Sequence, residues 1–163
     1  MPIAGVRVER HMDVFSRTFL PAAAEAGVAI PTVSRHMPVF RRCVEPDDTT
    51  VLVSRCYRPD TPLAGEFLLL LTYRRLVITQ ETRVLHRLRL HLNANLRHLS
   101  DVTWSPDVRA TAIDIAATAV DGVRERFRMR LAEPDQVWHV DALLRHVFRE
   151  RRTPAVLRPV VAA

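Results

Sequence analysis

The chain contains no lysine: all 24 of its basic residues are arginine. That absence excludes the phosphate-gripping lysine of a P-loop, a Schiff base and a Ser-Lys dyad. Glycine is nearly as sparse. Gly5, Gly27, Gly65 and Gly122 are the only four, too scattered for a dinucleotide fingerprint, a phosphate cradle or the sharp turn that presents a hydrolase nucleophile. Most nucleotide-dependent enzyme classes drop out on these two counts. Two cysteines, Cys43 and Cys56, are far from CxxC spacing, so they read as ordinary buried or half-buried thiols. A membrane span needs roughly 20 apolar residues, and Arg74 and Arg75 interrupt the run Phe67 to Leu71 almost at once. The N-terminus shows no leader pattern, so a cytoplasmic protein is expected, peripheral at most at the inner face of a membrane. His86 and His91 stand five positions apart, on opposite faces of a continuous strand, and no H-E-x-x-H occurs; no metal site is expected. Ser100 and Asp101 beside His98 do not make a triad by adjacency. Neither catalytic residues nor a cofactor are predicted.

What is present is enough apolar content, 48% of 163 residues, to bury a core within one domain. The net charge of +6 and a pI near 10.8 point to an acidic partner, either nucleic acid or an anionic membrane surface. A GC-rich genome also produces an arginine-rich chain, with the charge lying on a solvated surface.

Met12, Phe15 and Phe19 recur at helical spacing and predict an amphipathic helix over about Val8 to Leu20. Its stripe must be buried against the rest of the protein, a second copy or a partner. Pro21 breaks this helix or opens a short second one, Gly27 stops it, and a proline-punctuated connection, "VAIPTVSRHMPVF", follows. After "EPDD" the period changes from 3.6 to 2. "TVLVSRCYR" is the first strand, and "EFLLLL" and "LVITQ" form an antiparallel hairpin across "TYRR", where no glycine is available and a type I turn is expected. "RVLHRLRLHLNA" alternates, with Leu88, Leu90 and Leu92 on one face and Arg87, Arg89 and His91 on the other. "RHLSDVTWSPD" is the fifth strand, with Leu99 and Val102 as core contacts, and "TAIDIAATAV" the sixth. The turn signal Asp121-Gly122 leads into the seventh, "VRERFRMRL". A final helix, capped by Asp135, carries Val137, Val140, Leu144, Val147 and Phe148 as a stripe widened by Trp138.

Particular residues carry a resemblance. "GEFLLLLTYRRLVIT" resembles the "G-x-L-x-L-T-x-x-R-L-V" second and third strands of GRAM-type and bacterial PH-like domains; "LRHLSDVTW" and the upstream "VEPDDTTVLVSRCYR" are similar to their neighbouring landmarks. The resemblance spans about Val44 to Arg151. It implies the pleckstrin-homology (PH) superfold: mainly β, a partly open barrel of seven antiparallel strands in two near-orthogonal sheets, capped by a C-terminal α-helix. Residues 44–152 would form that domain, 1–43 an N-terminal helical extension and linker, and 153–163 a C-terminal tail. The family implies a non-catalytic binding or adaptor module for lipid headgroups or protein peptides.

Such domains hold phosphates with basic residues flanking the first loop, where Arg55 and Arg58 fit the near side. Glu66, Phe67 and Leu68 stand where a basic-x-basic motif would open the second strand, which argues against inositol-phosphate recognition there. Arg74 and Arg75 in the hairpin connection are further candidates. So is the ladder Arg124, Arg126, Arg128 and Arg130, spaced about 7 Å apart on one strand face and able to track phosphates or carboxylates. Glu125 points to the opposite face, and pairing with Asp114 or Glu81 is the alternative to a ligand. The partners expected are therefore a protein or an anionic membrane surface, with nucleic acid as the alternative and self-association through the N-terminal helix.

Overall fold

The computed structural model describes residues 12–149. Five consecutive apolar residues in a strand imply cover on both faces, and the second strand has it. In β2 (Glu66–Thr72), Phe67, Leu69 and Leu71 enter one core while Leu68 and Leu70 enter another on the opposite side. Each buried leucine is worth about 1.5–3 kcal/mol over leaving it in water, so both covers are held firmly.

The inner core lies within a seven-stranded antiparallel sheet of order β4-β3-β2-β1-β7-β6-β5. The remaining strands are β1 (Thr50–Tyr57), β3 (Arg75–Glu81), β4 (Leu88–Asn95), β5 (Ser100–Asp107), β6 (Ala112–Thr118) and β7 (Arg124–Arg130). β1 is the hinge of the sheet. It pairs with β2 from Thr50 to Cys56, but with β7 only over Arg55 to Tyr57, so the two half-sheets share one strand and are one hydrogen-bonded sheet. β4 and β5 are its two edges, and the barrel is not closed. Helix α3 (Pro134–Leu144) and a π-helical turn over Arg145–Arg149 bury Val137, Val140, Leu144, Val147 and Phe148 in this core.

The outer core is helical. α1 (Val14–Glu25) and α2 (Ile30–Cys43) lay Phe15, Phe19 and Phe40 over Val53, Leu68, Leu70 and Val77. Phe15 stacks 5.3 Å from Phe19, and Phe19 meets Phe40 edge-on at 5.6 Å. The stripe of the first helix is thus buried on the sheet of its own chain.

Several local expectations are corrected. The proline-punctuated stretch is not a connection but α2. Pro31 sits in the first turn, where its missing N–H costs nothing. Pro38 in α2 and Pro21 inside α1 lie on solvent flanks with Ser34 and Arg17, the residues whose carbonyls they free, so those carbonyls are lost from the helix ladder on exposed faces, where a freed acceptor is least costly. Helix α1 begins after Asp13, whose Oδ1 accepts from Ser16 N at 2.7 Å; Met12 precedes it and is half exposed, and residues 8–11 of the expected helix lie outside the described residues. β4 does not alternate throughout, because an irregularity opposite Ile78 and Thr79 pairs them with Leu92 and Leu90. Leu90 turns out to solvent and His91 turns in. The cap of α3 is a Glu133–Gln136 capping box, with Asp135 in the first turn. Trp138 is 58% exposed and does not widen the buried stripe.

The "TYRR" turn holds as expected. Leu71 and Leu76 are the last pair, and no residue between them has a positive φ. Thr72 Oγ1 accepts from Arg74 N and Arg75 N at 3.2 and 2.9 Å and donates to Asp48 Oδ2 at 2.6 Å.

Candidate functional site

The strand directions decide which loops share an end. β1 is antiparallel to β2 and to β7, β2 to β3, and β7 to β6. Hence β1, β3 and β6 run the same way. The loops that follow them, residues 58–65, 82–87 and 119–123, leave the barrel from one end. These loops carry exposed apolar side chains: Leu63 is 83% exposed, Val84 89%, Leu85 64%, Val120 77% and Val123 49%. Arg83 and Arg87 are exposed among them. Sequence patterning missed this crown because Val84, Leu85, Val120 and Val123 sit at the ends of alternating runs and read as strand residues. Only Leu63, between Pro62 and Ala64, signalled a loop.

Beneath the crown the barrel mouth is plugged. His91 Nε2 lies 3.1 Å from Glu125 Oε2, and Arg58 Nη2 is 3.5 Å from the same oxygen. The rings of Phe67, His91 and Phe127 meet edge-on, 5.3 to 5.7 Å apart. A carboxylate therefore occupies the mouth and engages Arg58, which leaves that position poorly suited to an incoming anion.

The eight candidate arginines do not form one site. Arg74 and Arg75 lie at the opposite end of β2 and β3 from the crown. Arg74 pairs with Asp47 at 3.0 Å, and its hydrogen bond holds the Asp47 carboxyl below the usual carboxylate range; Arg75 donates to Asn93 Oδ1 at 3.1 Å. In the β7 ladder, Phe127 and Met129 are buried, and the arginines face outward. Arg128 is bound by two acids, Asp107 and Asp114, each at 2.9 Å. Arg124 donates to Asp101 O, Thr103 Oγ1 and Thr118 Oγ1 and fastens β5 to β6. Arg126 is exposed beside Trp104 and Asp114. Arg130 lies 4.5 Å above the Tyr57 ring and directly opposite Arg55 across the β1–β7 pair. Arg55, Tyr57, Arg130 and the loop residue Arg83 border one recess of about 40 Å³ on the outer face.

A second buried polar cluster ties α2 to the sheet. His36, 2% exposed, meets Thr79 at 2.7 Å and Glu81 at 3.3 Å, and Arg35 reaches Glu81 at 3.1 Å. Burial pushes the His36 imidazole below its usual range, outweighing the hydrogen bond and charge of Glu81. Burial works to raise the Glu81 carboxyl, but the bonds from Arg35 and His36 bring it below its usual range. Among the described residues no group of three or more His, Cys, Asp or Glu is placed to hold a metal ion. None of the described helices is long and apolar enough to cross a membrane.

Seven antiparallel strands meeting through a shared first strand, with a helix in the open barrel, define a PH-like fold. No family model and no curated protein matches the chain. Solved structures that resemble it include the DH/PH domains of PDZ-RhoGEF in complex with GTP-gamma-S activated RhoA (14% identity, TM-score 0.48, 79% of this chain and 36% of that one). Two structures of Vav1 are also similar. One, with an allosteric inhibitor, has 8% identity and a TM-score of 0.41, covering 81% of this chain and 33% of that one. The other, an activated truncation, has 11% identity and a TM-score of 0.42, covering 82% and 36%. The chain spans about a third of the length of these solved chains. The fold assignment rests on strand order and the capping helix, not on these likenesses.

Proposed function

We propose that this chain is a non-catalytic PH-like binding module that docks, loop end first, on an anionic membrane surface from the cytoplasmic side. Residues 44–152 form the docking domain, 1–43 its helical extension and linker, and 153–163 its tail. The observation that carries the reading is the crown: five exposed aliphatic residues on three loops at one end, interleaved with Arg83 and Arg87. Burying aliphatic tips in the headgroup boundary contributes about 25 cal/mol per Å², and each arginine near an anionic leaflet adds about 1 kcal/mol. Stable peripheral attachment takes two such signals together. The net charge of +6 favours the same surface.

Flotation with phosphatidylcholine vesicles, with and without phosphatidylserine, tests this. Binding is expected only to the anionic vesicles, weakened by salt, and lost in Val84→Asp and Val120→Asp. Failure to float at low salt, or equal flotation of the two variants, overturns it. If DNA or RNA then binds at low salt, the basic surface serves nucleic acid instead.

A further inference from the structure

We propose that the cavity enclosed by α1, β1 and α3 is a site for a free aliphatic α-amino acid, with the branched side chain inside, the ammonium at Glu25 and the carboxylate at Arg130. The inference goes beyond the docking reading and does not depend on it.

The cavity follows from the way the sheet parts. β1 pairs with β7 only over Arg55 to Tyr57, and past Arg130 the chain leaves that ladder: Leu131 N donates to Thr111 O at 3.0 Å and Ala132 N to Gln136 Oε1 at 2.8 Å. Residues 51–53 of β1 are left without a strand on that side, and the last turn of α1 and the flank of α3 roof the gap. It lies between the two cores. Ala22, Ala26 and Val53 belong to the outer one, and Leu131, Val140 and Leu143 to the inner. The alanines of α1 are too short to fill the space, and about 70 Å³ stays open.

That volume decides the class of occupant. It is several times the roughly 10–15 Å³ that a single water needs and well below the roughly 300–1,000 Å³ of a pocket for a drug-sized ligand. It takes one branched aliphatic group, and neither a long acyl chain nor a fused ring. Apolar walls favour such a group over water.

The rim supplies the chemistry for the polar end. Glu25 and Arg130, both exposed, line the cavity with opposite charges, and among the described residues neither forms an ion pair. The C-terminal end of α1 adds its negative field beside Glu25. Stacking 4.5 Å above the Tyr57 ring holds the Arg130 guanidinium in place. Gln136 is already engaged: Oε1 accepts from Ala132 N and Glu133 N, and Nε2 donates to Glu25 O. It braces the walls and leaves recognition to the two charges. A simple anion would meet Glu25 and a simple cation Arg130, whereas a zwitterion satisfies both.

L-Leucine titrated into the full chain at constant ionic strength, followed by the methyl resonances of Val53, Leu131, Val140 and Leu143, is the test. Saturable shifts are expected at these methyls. N-acetyl-leucine, which lacks the ammonium, and leucine amide, which lacks the carboxylate, should each bind about three- to tenfold more weakly, as for loss of one partly screened charge contact. Glu25→Gln should cease to distinguish leucine from N-acetyl-leucine, and Arg130→Gln should cease to distinguish leucine from its amide. Ala26→Leu, at the half-buried end of α1, should fill the cavity and abolish binding, and L-tryptophan should not enter. No saturation at concentrations on the order of 10 mM, equal binding of leucine and both analogues, or undiminished binding by Ala26→Leu overturns the site. Should Ala26→Leu fail to fold, the exposed substitutions at Glu25 and Arg130 decide the matter through the analogue series.

Discussion

His36 Nδ1 lies 2.7 Å from Thr79 Oγ1, a contact between α2 and β3 buried within the outer core. The neutral imidazole satisfies both of its neighbours: Nε2–H donates to Glu81 and Nδ1 accepts the Thr79 hydroxyl proton. Its charged form is disfavoured there, since burial depresses its affinity for a proton.

Stability should consequently fall on acidification. His36 has a folded pKa below 6.5, so the unfolded chain binds the extra proton first. Its contribution is complete above pH 6.5 and is lost as pH drops through the depressed folded value. Glu81 acts in the same direction below pH 4.5. Urea unfolding between pH 8 and 5 should show this decline, and His36→Gln should flatten the upper part of it while costing about 1–3 kcal/mol at pH 7.5 through unpaired buried groups. A wild-type curve level from pH 7.5 to 5 would contradict the assignment.

Neighbouring leucines of β2 should behave alike despite facing opposite ways. Leu69 and Leu70 are both fully buried, one among the barrel side chains and the other beneath the helices. Alanine at either position should cost about 2–5 kcal/mol. If Leu70→Ala were near neutral in urea unfolding, the helical layer would not be part of the cooperative unit.

This pair also marks how much could be read in advance. The strand series, the hairpin turn and the terminal helix followed from period and turn chemistry, because those signals are local. The uninterrupted run Phe67 to Leu71 contained the news of a second cover, yet Pro31 and Pro38 concealed the helix that supplies it. Prolines on a hydrated flank leave no mark that distinguishes them from prolines in a loop. His91 escaped because one register irregularity reverses the facing of everything beyond it. The partners of Arg128 were half legible: Asp114 is its cross-strand neighbour, whereas Asp107 comes from the next strand over.

Thiol labelling should separate the two cysteines. Cys56 is buried, and burial drives its thiol far up from the usual range; Cys43 is half-buried and is raised in the same direction. With native protein at pH 8, Cys56 should remain unmodified by a thiol reagent while Cys43 reacts more slowly than a free thiol. Both should react at once in denaturant. Rapid native modification of Cys56, located by mass spectrometry, would be inconsistent with this packing.

The two tryptophans offer an optical check on the capping helix. Trp104 donates from Nε1 to Asp141 Oδ1 at 2.8 Å and packs on Phe148, whereas Trp138 faces water. Iodide should quench roughly the Trp138 share of the fluorescence, and Trp138→Phe should leave an emission that is blue-shifted and poorly quenched. Trp138→Phe should also be nearly neutral for stability, within about 0.5 kcal/mol, as expected of a surface change. Strong quenching that persists in the variant would place Trp104 in solvent.

The double cover of β2 bears on how this chain can be dissected. Trimming it back to strands and final helix would strip Val53, Leu68, Leu70 and Val77 bare together, a flat aliphatic patch on adjoining strands. Such a fragment would clump through that patch, mimicking a natural dimer. The amino-terminal helices are what shields that patch from water, and any study of docking has to leave them in place.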